Sequence, residues 1–163
     1  MEHVRHGELV ALDRPREIVL VCPQFKSNVN LSRIVRLASC CAVNKIIVAG
    51  ANKIDAKIAR DGIDSITLER RRSLPPVLKR LKDEGFQLVG LEQTTKSQSL
   101  YDFQFHRRTA LVIGHERNGI VDAELCLLDQ AIEIPVYGMP HSYNVVTATT
   151  MAMYEYCRQF PAG

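Results

Sequence analysis

The stretch Asp129–Glu155, DQAIEIPVYGMPHSYNVVTATTMAMYE, decides how this chain is read. Ala131–Ile134 is a short apolar run that reads as a buried strand ending at Ile134-Pro135. Gly138-Met139-Pro140 marks a turn, a polar His-Ser-Tyr-Asn cluster follows at 141–144, and small and apolar residues from Tyr143 to Phe160 read as a helix. A helix start normally carries one capping side chain. Here Ser142 and Asn144 crowd the same start, beside a glycine loop and directly after a buried strand. Such an arrangement presents backbone N–H and C=O groups and side-chain amides to a bound molecule.

Working outward, the same alternation repeats. Glu17–Cys22, Lys45–Ala49, Ser65–Leu68, Gln87–Leu91 and Ala110–Ile113 read as short strands. Between them, Asn30–Ala42, Asn52–Arg60, Leu74–Glu84 and Val121–Leu128 read as helices, and Gln93–Arg108 as a polar connection. The helix over 30–42 has apolar residues at Leu31, Ile34, Val35, Ala38 and Cys41, a helical stripe. Strands alternating with helices predict an α/β fold: a parallel sheet with helices on both faces. Ligands in such sheets bind beyond the carboxyl ends of the strands. Three ends carry unusual residues: Leu91 runs into Glu92-Gln93-Thr94, Ile113 into Gly114–Gly119, and Ile134 into Pro135 and the Gly138 turn. Topology leads us to expect that they converge.

The bulk numbers bound the class. The 163 residues are 46% hydrophobic and 24% charged, which suits one globular domain with a real core. We read residues 1–16 as a polar N-terminal extension and 17–163 as a single domain. A net charge of +3 permits an RNA partner without requiring one. The five cysteines form no CxxC pair and match no zinc spacing, so no metal site is expected and reduced thiols in a cytoplasmic protein fit best. The charged start does not read as a signal peptide, and no apolar run approaches the roughly 20 residues that span a bilayer. There is neither a GxGxxG motif nor a phosphate-binding loop, which weighs against a small-molecule nucleotide-binding protein.

Two further constellations each have a plain reading. GHERNG, residues 114–119, is a strand-turn-helix corner, or a place where Gly114 admits a ligand to the backbone. His115 reads as a hydrogen-bonded structural residue. In NVNLSRIVRLA, Asn30 and Ser32 read as helix caps and Arg33 and Arg36 as a solvated face, or as functional groups at a helix start. Outside these motifs Arg14, Arg16, the Arg70–Arg72 run, Lys79, Arg80, Lys82, Arg107 and Arg108 are solvated charges or phosphate contacts. With 6% aromatics and no Trp, no base-stacking platform is visible.

Taken together, the three constellations resemble the three signatures of the SpoU/TrmH family of RNA ribose 2′-O-methyltransferases, in the same order and over residues 17–157. NVNLSRIVR is similar to the first signature, GHERNG to the second and IPVYGMPHSYNV to the third. Ser32, His115, Tyr143 and Val146 depart from the usual residues. The loop LVGLEQTTKS also resembles the methyltransferase domain of large eukaryotic enzymes that methylate a guanosine ribose in the tRNA D-loop. The resemblance implies a SPOUT fold with a C-terminal trefoil knot, an exception to the unknotted rule. It also implies S-adenosylmethionine as methyl donor and a homodimer with composite active sites. The reaction implied is methyl transfer to a ribose 2′-hydroxyl of RNA, with tRNA first and ribosomal RNA or the tRNA wobble position as alternatives. A non-catalytic RNA-binding dimer is the reading from a different class. On this resemblance Asn30, Arg36, Glu116, Ser142 and Asn144 are the catalytic set. Leu91, Gly114, Ile134, Met139, Ser142 and Tyr143 are expected to hold the cofactor.

Overall fold

The computed structural model describes His3 and residues 7–163. Seven strands form one sheet in the order β3-β2-β1-β6-β4-β7-β5. They are β1 (Val19–Cys22), β2 (Lys45–Ala49), β3 (Thr67–Arg71), β4 (Gln87–Leu91), β5 (Gln98–Ser99), β6 (Thr109–Ile113) and β7 (Gln130–Glu133). Each neighbouring pair is parallel, as expected from the alternation. The helices are α1 (Asn28–Cys40), α2 (Ala56–Ala59), α3 (Pro75–Asp83), α4 (Asp122–Leu125) and α5 (Val145–Gln159). A 3-10 turn, Arg60–Ile63, follows α2.

Both faces of the sheet are covered. Leu20 and Cys22 of β1 pack with Leu31, Ile34 and Ala38 of α1 and with Ala152, Met153 and Tyr156 of α5. Val19 and Val21 face the other way, onto Val77, Leu78 and Leu81 of α3. This is the two-residue alternation of a strand buried on both sides. Each fully buried Leu or Ile of α1 contributes about 1.5–3 kcal/mol relative to exposure. The central strand β6 is buried at every position.

Several local expectations are corrected. The cap of α1 is Ser27, whose Oγ accepts from the Val29 N–H at 3.2 Å. Asn30 and Ser32 therefore lie inside the helix and are buried. Ser32 Oγ donates to Asn28 O at 2.7 Å and accepts from the Asp55 N–H at 2.9 Å, tying α1 to the start of α2. The connection 93–108 contains β5, which pairs with β7. It also buries Leu100, Phe103 and Phe105 in the α1/α5 core. Gln159 of α5 holds that connection, donating to Phe103 O at 2.7 Å and accepting from the Phe105 N–H at 2.8 Å. The final helix starts at Val145, not Tyr143, because the Asn144 side chain caps it by accepting from the Val146 N–H at 2.9 Å.

Of the expected extension 1–16, residues 1, 2, 4, 5 and 6 lie outside the described residues. Residues 7–16 form no helix or strand, and the Asp13 N–H donates to Ala162 O at 2.9 Å. Among the described residues no helix is long and apolar enough to cross a membrane. None of their His, Cys, Asp and Glu side chains form a group of three that could hold a metal.

Candidate active site

Strand order brings the three unusual strand ends together. β4 lies between β6 and β7, and Leu91 is in register with both Ile113 and Ile132. Beyond these residues the chain opens into a cavity of about 450 Å³. Its wall takes Leu91–Gln93 from β4, Ile113–Arg117 and Gly119 from β6, and Ile132–Ile134 and Val136 from β7. Residues 141–145 and Ala148 close it from the start of α5. The expected cofactor residues Leu91, Gly114, Ile134, Ser142 and Tyr143 all border this space. Met139 does not: the exposed 138–140 turn carries it outward, and it is 78% exposed.

Glu116 joins the cavity to α1. Asn30 Nδ2 donates to Glu116 Oε1 at 2.8 Å, across 86 residues of sequence. The backbone N–H groups of Lys26 and Ser27 donate to the same carboxylate at 3.0 and 3.4 Å. Burial pushes the Glu116 pKa up, but these donors outweigh it and the net shift is downward. A carboxylate so engaged is a structural anchor and a weak base. His115 folds back on its own loop: Nδ1 accepts from the Arg117 and Asn118 N–H groups at 3.2 and 3.4 Å. That leaves the Nε2 proton of the neutral ring facing Glu116 Oε2 at 3.5 Å.

Sequence noted Glu92 only among the unusual residues that follow Leu91, with no role assigned; in the structure it lines the cavity. Its Oε2 accepts from the Ile120 N–H at 2.8 Å. A Cβ on Gly114 would stand 2.9 Å from that oxygen and 3.1 Å from the Gly119 backbone. A Cβ on Gly119, where φ is +62°, would stand 2.4 Å from it. Both glycines thus leave room for the seated Glu92, and Gly114 also borders the cavity, where sequence read it as a place that admits a ligand to the backbone. We predict that Gly114→Val weakens S-adenosylmethionine binding at least tenfold by calorimetry, because the 114–119 loop must move to admit the side chain.

Arg36 is the second placement that sequence did not anticipate. It is exposed and off the cavity wall. Six helical residues after Asn30, it is rotated by about 120° around α1, so the two cannot share one face. Arg36 instead lines a separate groove with Arg33, Lys57 and Arg60, floored by Leu37, Ile58 and Val146. None of these four cations forms an ion pair with a described carboxylate. Other basic residues are spent internally. Lys45, Arg71 and Arg80 each lie 2.7 Å from Glu69. Burial raises the Glu69 pKa, but the three cations overcome it and bring it down to about 2. Lys82 pairs with Asp129 at 2.6 Å, and Arg107 and Arg108 lie over Phe160 and Phe86. Ser142 and Asn144 sit at the cavity rim, with the Asn144 oxygen engaged as the α5 cap and its amide N–H₂ available.

The apolar and polar parts of the wall suit an adenosine-bearing cation. Leu91, Ile132, Ile134, Val145 and Ala148 give it apolar surfaces, strand-end main chain gives it polar groups, and the Glu116 and Glu133 carboxylates give it negative charge. Comparison with known proteins agrees. The tRNA (guanosine(18)-2′-O)-methyltransferase of Escherichia coli (strain K12) is 27% identical over 160 residues, 96% of this chain and 69% of that protein. The crystal structure of the A. aeolicus TrmH/SpoU tRNA modifying enzyme superposes with a TM-score of 0.84 at 28% identity, over 91% of this chain and 77% of that one. The SpoU methyltransferase AviRb from Streptomyces viridochromogenes, solved in complex with the cofactor AdoMet, gives 0.80 at 28% identity, over 92% and 63%. The family model described as the SpoU rRNA methylase family matches residues 17–154, and this chain belongs to that family.

Proposed function

We propose that the protein transfers a methyl group from S-adenosylmethionine to a ribose 2′-hydroxyl of RNA, with tRNA as the substrate. The observation that carries this is the cavity at the β4, β6 and β7 ends, wired through Glu116 to Asn30 and bordered by Ser142 and Asn144. Relatives that methylate tRNA support it, and the family description keeps ribosomal RNA as the alternative. The C-terminal knot implied by the family belongs to the same reading, as do one domain over 17–163 and a cytoplasmic setting.

When bound, S-adenosylmethionine supplies an activated methyl group on a sulfonium. The chain's task is to hold the 2′-oxygen in line with it and to steady the charge that develops there. Arg36 cannot be the base, because a guanidinium stays protonated throughout the working range. It holds the neighbouring phosphate and the 2′-oxygen. Glu116, held low by its donors, fixes Asn30 and the start of α1, and the proton passes to phosphate or water. The Asn144 amide and the Ser142 hydroxyl orient the ribose from the cavity rim.

The separation of Arg36 from the cavity supports a homodimer, in which Arg36 of one copy meets the cavity of the other. Ala152 and Met153 of α5 are buried in the chain's own core. The exposed flank of α5 with Thr147, Thr150 and Tyr154 is the surface left for such a contact. The test of function is incubation with labelled S-adenosylmethionine and unmodified tRNA or ribosomal RNA, followed by mapping of the labelled ribose. Label on a tRNA 2′-oxygen is expected. Label on ribosomal RNA alone would select the alternative, and no transfer to either, with cofactor bound, would leave the non-catalytic RNA-binding reading.

A further inference from the structure

The Arg70–Arg72 run ends the outer strand β3 and borders neither the cavity nor the Arg36 groove. Every strand pair is parallel, so the carboxyl end of β3 lies on the same edge of the sheet as the cavity. The strands are also level. Arg70 is in register with Val48, Val48 with Cys22, Val21 with Val112, and Ile113 with Leu91, where the cavity opens. Strands lie about 4.8 Å apart, so the three spacings from β3 to β6 put the run about 14 Å from the nearest strand of the cavity. The loops between are joined one to the next. The Gly50 N–H donates to Arg71 O at 2.9 Å. Asn52 Nδ2 donates to Phe25 O at 2.9 Å, and the Lys53 N–H to Asn28 Oδ1 at 3.0 Å. The Lys26 N–H donates to Glu116 at 3.0 Å. The result is a braced rim that runs from β3 through the ends of β2 and β1 to β6 and the cavity.

Arg70, Arg72, Lys53, Lys26 and Arg117 are exposed along this rim, and none forms an ion pair with a described carboxylate. Arg71 differs, being held 2.7 Å from Glu69. The carboxylates of the rim loops, Asp55 and Glu116, are already engaged by N–H donors: Asp55 by Lys57 at 2.8 Å, Glu116 by Lys26, Ser27 and Asn30. A row of uncompensated cations on a braced surface is the electrostatic footprint of a polyanion, and phosphates repeated along one strand match a row better than a single anion does. We propose that this rim holds the RNA strand that flanks the target nucleotide and leads it to the cavity, with Arg70 and Arg72 as the outermost phosphate contacts. The proposal rests on the reading of the cavity as a site of RNA methylation. The rim cations set the position and direction of the strand and read no base.

Filter binding of unmodified tRNA to the intact protein, over a series of salt concentrations, tests the rim. Arg70→Gln combined with Arg72→Gln should weaken binding about fivefold at physiological salt and lower the slope of log affinity against log salt by about 1.4, the share of two phosphates of a single strand. In methyl transfer to the same tRNA the loss should fall on KM and be recovered as tRNA approaches saturation, with S-adenosylmethionine binding unchanged by calorimetry. Adding Lys53→Gln should deepen the loss of affinity and of salt slope. Arg14→Gln with Lys79→Gln removes equal charge before β1 and on α3, away from the rim, and should change both much less. An unchanged KM and salt slope in the Arg70/Arg72 variant, or equal losses in the two pairs, would overturn the proposal and leave the methylation reading intact. If the wild type transfers no methyl group to RNA while its tRNA affinity still falls with Arg70 and Arg72, the rim stands and the methylation reading falls.

Discussion

Arg36→Ala should lower single-turnover methyl transfer to unmodified tRNA by about 100-fold or more, the usual loss when one preorganised charge-stabilising donor is removed. Folding and S-adenosylmethionine binding should hardly change, because Arg36 is exposed and lies off the cavity wall. Arg36→Lys should also fail substantially, since an ammonium keeps the charge and loses the planar two-pronged geometry. Arg33 is the informative comparison. Sequence read it as a solvated face or a functional group at the helix start and left it out of the catalytic set, and it shares the Arg36 groove. Arg33→Ala should therefore weaken RNA binding and its salt dependence while costing much less in the rate of bound substrate. The groove's distance from the cavity adds a second test. If one copy's Arg36 serves the other's cavity, Arg36→Ala mixed with Gly114→Val should regain activity that neither has alone. A mixture no more active than the sum of its parts would sink the shared-site reading, and a near-wild-type rate for Arg36→Ala alone would sink the assignment of Arg36.

The fold was legible where physics is local. Short runs with a continuous apolar centre, such as Lys45–Ala49 and Gln87–Leu91, are strands at the expected bounds, because a strand buried on both faces leaves little choice of residue. The two-residue β5 was not legible: its place depends on pairing with β7, over thirty positions away in sequence, and two residues carry no period. Helix caps were misread for a related reason. Ser27, Asn30 and Ser32 are all capping residue types, and only the tertiary ties of Asn30 to Glu116 and of Ser32 to Asp55 show which one caps. The convergence of three strand ends followed from topology. Glu92 was visible at its place straight after a buried strand, but its role was not, because its partner is the backbone of another loop, which no sequence pattern records. Arg36 was identified by its place in a motif; the helical spacing i to i+6 already puts it on a different flank from Asn30, but which groove that flank faces depends on α2 and α5 packing beside it.

The largest combined effect on stability and turnover is expected at Glu116. Glu116→Ala removes the acceptor for the buried Asn30 amide and for the Lys26 and Ser27 N–H groups. Leaving such donors unpaired costs about 1–3 kcal/mol, most of it from Asn30, which is 8% exposed. Turnover should fall about 100-fold besides, because the start of α1 loses its tie to the cavity and displacements near 1 Å are enough for that. Glu116→Gln is the sharper variant. It keeps the shape, but its N–H₂ faces at least one existing donor, so part of the loss should remain. It also removes a titration. The folded pKa of Glu116 is depressed, so the ionised carboxylate contributes stability that is complete above the ordinary glutamate value of about 4.3 and is lost as pH falls through the folded value. Urea unfolding from pH 7 downward should thus show the wild-type advantage over Glu116→Gln shrinking on the acid side. A constant gap would mean that the carboxylate charge is not what anchors α1. A double-mutant cycle with Asn30→Ala separates the pair from its surroundings: residues in direct contact should couple by about 0.5–3 kcal/mol, and additive losses would show that Asn30 and Glu116 act apart.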